Sequence, residues 1–164
     1  MPVPEHIEEG SLASWHTQFL RLAEDESGLR NDIICIDEGG SPGDGAHGLA
    51  YTGDDDVDWR MWGIAANDYD YALNSYVEVI HSANGTGGLV YYKAWYVYTA
   101  NGLLVPGQPV YVDGAVHVES LGDSTNNVWA GWFIKPENSE ALVMTASGYI
   151  YVGFGLGSSL PQSA

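Results

Sequence analysis

Apolar residues alternate with polar ones over short stretches of the second half of the chain, which predicts β-strands joined by tight turns. Valines keep a period of two on both sides of Asp113-Gly114, at positions 110, 112, 116 and 118. The Asp-Gly dipeptide tolerates the positive φ angles of a tight hairpin. The pattern therefore predicts a hairpin over residues 110–118, which the chain enters through a turn at Pro106-Gly107.

Runs of β-branched and aromatic residues recur between glycine-rich and polar segments along most of the chain. They lie at residues 33–36, 76–80, 89–99, 128–134, 140–146 and 149–154. This repetition predicts an all-β protein, a small β-sandwich or barrel-like domain over about residues 33–154.

Both faces of the strand predicted over residues 89–99 are largely apolar or aromatic. Such a strand is either covered on both sides or presents one side to another protein or a ligand. Tyr91, Trp95 and Tyr96 are therefore candidates for a trimer or ligand surface.

The N-terminal segment has a different pattern. Residues 1–10 are polar and contain two prolines, which predicts an extended arm. Spacings of three and four then predict one short amphipathic helix, with an apolar stripe at Leu12, Trp15, Phe19 and Leu22. This stripe packs either on its own domain or on a neighbouring molecule.

Four segments follow from these patterns. Residues 1–30 form the arm, and residues 31–100 form an aromatic-rich β-region that either joins the main domain or makes an added subdomain. Residues 101–154 form a β-domain, and residues 155–164 form a tail.

Charge narrows the range of partners. The chain has 22 acidic residues and 5 basic ones, with a formal net charge of −17. Such a surface repels phosphate backbones, so we expect no nucleic-acid partner. The N-terminus lacks a basic region followed by an apolar run, and no 18-residue apolar span occurs. We therefore expect a soluble protein made in the cytoplasm, with no membrane partner.

Motifs for catalysis are sparse. The single cysteine, Cys35, lies among isoleucines and is predicted to be a small buried hydrophobe rather than a reactive thiol. The sequence contains no Gly-x-Ser-x-Gly elbow, no His-Glu-x-x-His motif and no paired Cys-x-x-Cys, and its five histidines form no close pair. We expect a binding or structural protein, not an enzyme, and one without a cofactor.

Two weaker patterns allow other interpretations. A run of carboxylates is a weak calcium candidate, although it lacks the ligand spacing of an EF-hand and is better interpreted as a solvated loop; it comprises Asp54, Asp55, Asp56 and Asp58. Planar aromatic rings could stack on sugars or simply form the core; the candidates are Trp59, Trp62, Tyr69, Tyr71 and Trp95.

The C-terminal third resembles a known family. It contains a Gly-x-Pro-Val-Tyr-Val-x-Gly hairpin at residues 107–114, then a polar loop, a strand around Ala130-Gly131-Trp132-Phe133-Ile134, and a closing strand Gly148-Tyr149-Ile150-Tyr151-Val152. This order resembles the C-terminal β-domain of tailed-phage head decoration proteins, also called capsid cement proteins, the family of the lambda head-decoration protein.

The resemblance implies a function and partners. Members of this family are expected to form homotrimers on threefold axes of an icosahedral head and to grip the major capsid protein with an N-terminal arm. The stripe at Leu12, Trp15, Phe19 and Leu22 would supply the arm's anchors. We therefore expect a decoration protein on the capsid exterior that stabilises the mature head. A carbohydrate-binding β-sandwich module or a virion receptor-binding protein is the alternative.

Overall fold

The computed structural model describes residues 17–38, 48–54, 59–81, 91–99, 103–120, 128–138 and 140–153. These residues form strands and turns without a helix, so the all-β prediction is confirmed. The strands are β1 (Thr17–Arg21), β2 (Ser27–Gly28), β3 (Ile33–Asp37), β4 (Ala50–Thr52), β5 (Trp59–Ala65), β6 (Tyr69–Asp70), β7 (Tyr76–His81), β8 (Tyr91–Val97), β9 (Pro109–Val112), β10 (His117–Glu119), β11 (Trp129–Pro136) and β12 (Gly148–Gly153). Within this part of the chain, no helix is both long and apolar enough to cross a membrane.

The strands form two five-stranded units. Repeat 1 consists of β1, β3, β4, β5 and β7 in the order β1-β7-β5-β3-β4. Its two edges meet where Leu22 forms a parallel bridge with Ala50. Repeat 2 consists of β8 to β12, which close into a barrel in the order β10-β8-β12-β11-β9. The short strands β2 and β6 pair with each other beside repeat 1.

The two units share one topology, which is why we call them repeats. In each, the first strand pairs antiparallel with the fifth, the fifth with the fourth, the fourth with the second, and the second with the third. The third strand then meets the first in parallel, through β10 and β8 in repeat 2 and through the Leu22–Ala50 bridge in repeat 1. The pairing of second and fourth strands is interrupted by an irregularity in both units.

The turn before the second strand is built the same way in both repeats. In repeat 1 the N–H of Leu29 donates to Oδ2 of Asp32 at 2.9 Å. In repeat 2 the N–H of Val105 donates to Oε1 of Gln108 at 2.8 Å. Each turn is thus closed by a polar side chain three residues further along, and the two turns have the same local structure.

The two turns also share a backbone hydrogen bond to the fourth strand of their repeat. Asn31, with φ of 78°, donates its N–H to the carbonyl of Ala65 at 2.9 Å. Gly107, with φ of 90°, donates its N–H to the carbonyl of Phe133 at 2.8 Å. Both residues therefore adopt the left-handed conformation that glycine and asparagine tolerate best.

The registers align the two repeats residue by residue. Ala65 of β5 pairs with Val79, and Phe133 of β11 pairs with Val152. Counting back along the fifth strand from these pairs makes Tyr76 equivalent to Tyr149. These two tyrosines face Arg21 and Trp95 of the first strands.

Repeat 1 encloses its own apolar interior. Its members are Leu20, Leu22, Ile34, Ala50, Ala65, Tyr69, Val77 and Val79. Successive residues of β3 point to opposite sides, because side chains alternate across a strand. Ile34 therefore faces this interior, whereas Ile33 and Cys35 face repeat 2.

The second core joins the two repeats. The outer face of repeat 1 contributes Ile33, Cys35, Ile64 and Ile80 to the cluster that fills repeat 2. The Tyr92 hydroxyl donates to the carbonyl of Ala130 at 2.6 Å and lies 3.6 Å from Sδ of Met61. The N–H of Ile33 donates to the carbonyl of Ala115 at 2.6 Å. The repeats are therefore packed as one body.

The hairpin predicted over residues 110–118 is confirmed, with a different turn. β9 pairs antiparallel with β10, and the N–H of Asp113 donates to the carbonyl of His117 at 2.8 Å. Gly114 does not adopt a positive φ, because the loop spans residues 113–116 and needs no tight two-residue turn. The turn at Pro106-Gly107 is also confirmed.

The predicted helix is wrong over the part that the structure describes. Residues 17–21 form β1, which pairs with β7. In a strand the buried positions recur every second residue, so Leu20 and Leu22 point inward and Phe19 points outward. Residues 12 and 15 of the predicted stripe lie outside the described residues.

Strand pairing divides the chain differently from the predicted segments. Residues 17–30, assigned to the arm, contribute β1 to repeat 1 and the short strand β2 beside it. Strand β8, assigned to the region 31–100, belongs to repeat 2. The tail at residues 155–164 lies outside the described residues.

Candidate functional site

The outer side of repeat 2 carries a continuous aromatic and basic surface. Along β8, inward-facing Tyr92 and Ala94 are buried, while Tyr91, Lys93 and Trp95 are half-buried on the opposite side. The neighbouring strands β12 and β11 extend this side. We call it the lysine–aromatic face, and it consists of Tyr91, Lys93, Trp95, Lys135, Tyr149 and Tyr151.

Aromatic rings on this face pack edge to face across β8 and β12. The rings of Trp95 and Tyr149 lie 4.9 Å apart at 86°, and those of Tyr91 and Tyr151 lie 5.8 Å apart at 89°. Each such pair contributes about 0.5–1.5 kcal/mol beyond its buried area. The face is therefore held in place before any partner binds.

Two lysines lie among these rings. Nζ of Lys93 is 3.0 Å from a carboxylate oxygen of Glu137 and 5.1 Å from the centre of the Tyr149 ring. Nζ of Lys135 lies 5.9 Å from the centre of the Tyr151 ring. Both contacts are within the range of cation–π attraction. Glu137 offsets the charge of Lys93, so Lys135 leaves a small positive excess on this face, in a chain with 5 basic residues and a formal net charge of −17.

Repeat 1 has a related surface at the equivalent position. It lies on the outer side of β1 and β7 and is formed by Phe19, Arg21, Tyr76 and Glu78, which we call the repeat-1 face. Phe19 is 64% exposed and Tyr76 is 45% exposed, close to the 46% of its equivalent Tyr149. Each repeat therefore exposes aromatic rings beside a basic side chain.

The structure separates the residues predicted for a trimer or ligand surface. Tyr91 and Trp95 lie together on the lysine–aromatic face. Tyr96 does not, because its side chain points into repeat 2 and is fully buried, with its hydroxyl donating to Oγ of Ser120 at 3.2 Å. Alternation along β8 places Tyr96 on the opposite side from its two predicted companions.

The predicted arm anchors are also separated. Phe19 lies on the repeat-1 face, whereas Leu22 is buried in the interior of repeat 1. Leu12 and Trp15 lie outside the described residues.

The predicted calcium site lies mostly outside the described residues. Asp54 is described and exposed, but Asp55, Asp56 and Asp58 are not described. In the part of the chain that the structure covers, no three His, Cys, Asp or Glu side chains are grouped as metal ligands would be.

Four of the five aromatic residues considered for sugar binding pack against the cores; these are Trp59, Trp62, Tyr69 and Tyr71. Trp59 also stacks on Tyr51, with ring centres 4.3 Å apart. Trp95 is the member of this set that lies on the lysine–aromatic face.

A buried polar network occupies the other side of repeat 1. The Tyr69 hydroxyl donates to Oδ2 of Asp32 at 3.0 Å and lies 2.7 Å from Oγ1 of Thr52. Loss of solvent on burial raises the pKa of Asp32 and that of Tyr69. These groups satisfy one another and connect β6 to β3 and β4, so we assign the network a structural role.

The thiol of Cys35 is inert in this structure. Cys35 is fully buried, and burial raises its pKa to about 12. It remains protonated at neutral pH, and the prediction of a small buried hydrophobe is confirmed.

Comparison with known proteins finds no matching family model, no matching curated protein and no matching solved structure.

Proposed function

We propose that the chain is a capsid decoration protein that binds the outside of a major capsid shell and stabilises the mature head. The observation that supports this most directly is the lysine–aromatic face. It presents ordered Trp and Tyr rings on a closed barrel, and such residues are enriched at the sites that dominate protein–protein interfaces. Little side-chain entropy is lost when pre-packed rings bind a partner.

Charge supports the same proposal. Two lysines lie on the face, while the chain as a whole is strongly acidic. The matching surface on the shell is therefore expected to be acidic, and the rest of the molecule repels the phosphate backbone of a packaged genome.

Self-association belongs to this proposal, with a homotrimer at threefold positions of the shell as the expected state. Light scattering of the purified protein measures its state in solution, and electron microscopy of decorated heads shows how many copies lie at each position of the shell. A trimer that forms only on the shell agrees with the proposal, whereas isolated single copies on the shell would contradict the trimer.

The attachment test compares two exposed residues of repeat 2. Tyr149, 46% exposed, lies on the face, and Leu142, 69% exposed, lies outside it. We expect Tyr149→Thr to weaken attachment to undecorated heads of the encoding virus by about tenfold or more, because central aromatic residues contribute about 2 kcal/mol. Leu142→Thr should bind like the unmodified chain. Co-sedimentation with heads measures both, and thermal unfolding checks that both variants fold.

A carbohydrate-binding module is the second candidate. Tyr149 is exposed beside Trp95 on the lysine–aromatic face, and planar rings can stack on pyranoses. A glycan panel separates the two functions. Sugar binding that is lost in Tyr149→Thr, without attachment of the unmodified chain to heads, would overturn the decoration proposal.

A further inference from the structure

The two repeats expose matched side chains at equivalent positions. Tyr76 in β7 and Tyr149 in β12 are the same residue type with nearly equal exposure, 45% and 46%. Each lies beside a basic residue of the first strand. Arg21 pairs directly with Tyr76, and Nζ of Lys93 lies 5.1 Å from the Tyr149 ring.

The first strands repeat the same chemistry in reversed order. β1 carries Phe19 and Arg21 outward, and β8 carries Lys93 and Trp95 at the equivalent positions. Each first strand therefore exposes one aromatic ring and one cation, and the neighbouring fifth strand adds a tyrosine, Tyr76 in repeat 1 and Tyr149 in repeat 2. A surface with both an apolar and an acidic part would fit either face.

Basic residues are concentrated on the two faces. The chain has 5 lysines and arginines, of which Arg21, Lys93 and Lys135 belong to these faces. Each face also holds one carboxylate, Glu78 in repeat 1 and Glu137, 3.0 Å from Lys93, in repeat 2. Both faces are therefore much less negative than the chain as a whole, so an acidic partner is repelled less by them than by the remaining surface.

The distance between the faces is fixed because the repeats share a core. Met61 of repeat 1 contacts Tyr92 of repeat 2, and Ile33 is hydrogen bonded to Ala115. Two sites on a rigid body gain avidity when the partner offers two copies of one surface at a matching distance. A shell built from repeated subunits offers such a pair.

From these observations we infer that one chain binds two copies of the same acidic, partly apolar surface on neighbouring shell subunits, one copy on each face. This rests on the proposed attachment to a capsid shell. The chain would then act as a clamp between subunits, and its stabilising effect would come from bridging them.

The experiment compares matched substitutions on undecorated heads. Tyr76→Thr changes the repeat-1 face, Tyr149→Thr changes the lysine–aromatic face, and a third variant carries both. Leu142→Thr serves as the control, since Leu142 is exposed outside both faces. We expect each single variant to leave the heads about 100-fold faster, because one-site binding loses avidity, and the double variant not to be retained.

Charge reversals provide variants that leave the packed rings unchanged. Arg21 and Lys135 are both exposed, one on each face. Arg21→Glu and Lys135→Glu should each weaken attachment to the same heads by tenfold or more, and the loss for each should shrink as salt is raised.

The outcomes distinguish this inference from the proposed function. If the unmodified chain does not attach to heads, both are overturned. If it attaches but the Tyr76 and Arg21 variants behave like the control, the repeat-1 face is not used, and the two-site inference alone is wrong. Equal losses from the two faces, with a much larger loss in the double variant, support it.

Discussion

Asp32 is almost fully buried, and its carboxylate accepts hydrogen bonds from both the backbone and a tyrosine. The N–H of Leu29 and the hydroxyl of Tyr69 both reach the same oxygen, Oδ2, at 2.9 and 3.0 Å. Burial raises the pKa of Asp32 more than these hydrogen bonds lower it. The carboxyl group of Asp32 therefore holds its proton more tightly in the folded protein than in the unfolded chain.

This shift makes stability depend on pH with a defined sign. The stabilisation from protonated Asp32 is fully present below its unfolded pKa and is lost as the pH rises through the raised folded pKa. We expect Asp32→Asn to gain stability relative to the unmodified chain as pH rises from about 4 to 7, because the amide oxygen can accept both hydrogen bonds without ionising.

Urea unfolding at several pH values measures this difference in the free energy of unfolding. Asp70→Asn is a control, since Asp70 is exposed. A constant difference between Asp32→Asn and the unmodified chain at all pH values would contradict the prediction.

At the scale of the elements, the turn before each second strand shows how two different sequences build one structure. Asn31 and Gly107 both take a positive φ, and their N–H groups reach equivalent carbonyls of the fourth strands. A Cβ at Gly107 would meet nothing within 4 Å, so the constraint there is conformational and not steric crowding.

Exchange of these turn residues tests the equivalence of the repeats. We expect Gly107→Asn to change the free energy of unfolding by less than about 0.5 kcal/mol, because asparagine occupies the same turn in repeat 1 and tolerates positive φ. Gly107→Val should cost about 1–2 kcal/mol or more, because a β-branched residue is strained at this φ. Chemical denaturation measures both, and equal costs for the two substitutions would count against this account.

At the scale of the whole molecule, the two repeats share a core and should unfold together. Tyr92 is fully buried, donates to Ala130 within repeat 2 and contacts Met61 of repeat 1. Ile33 and Cys35 of repeat 1 belong to the same cluster. A large cavity in place of the Tyr92 side chain would therefore destabilise both repeats.

We expect one cooperative unfolding transition, and we expect Tyr92→Ala to cost about 3–5 kcal/mol through lost burial and the cavity that remains. Tyr92→Phe is the matched variant that keeps the ring and removes only the hydrogen bond, so it should cost less, about 1 kcal/mol. Calorimetry and tryptophan fluorescence should give coincident transitions. Two separated transitions in the unmodified chain would show that the repeats fold independently.

Local patterns in the sequence determined much of the fold. Alternating valines and the turn at Pro106-Gly107 located the hairpin of β9 and β10, because strand alternation and turn chemistry act between neighbouring residues. The isoleucines next to Cys35 in the sequence predicted that Cys35 is buried, because a short apolar run is typical of a strand inside a core. The β-branched and aromatic residues of the segment 89–99 predicted a strand, and β8 (Tyr91–Val97) lies there.

Pairing between strands that are distant in the sequence determined features of the fold that local patterns could not predict. Phe19 and Leu22 fit a helical stripe, but pairing of β1 with β7 makes them residues of a strand, one outside and one inside. The matching runs Ile34-x-Ile36-Asp37 and Val110-x-Val112-Asp113 are a faint sequence signal of the repeat. They are too short to establish it without the shared register and hydrogen bonds.

The candidate site depends on tertiary structure for the same reason. Tyr91 and Trp95 could be predicted from β8 alone. Tyr149 and Tyr151 join them only because β12, which begins at Gly148, pairs with β8, which ends at Val97. Lys135 then joins through the pairing of β11 with β12. The two apolar sides of the predicted strand make Tyr96 a candidate as well, but its side chain points into repeat 2 and is fully buried. Residue type and spacing determine which strands form, whereas closure of each repeat decides which side chains share a surface, because that surface consists of residues distant in the chain.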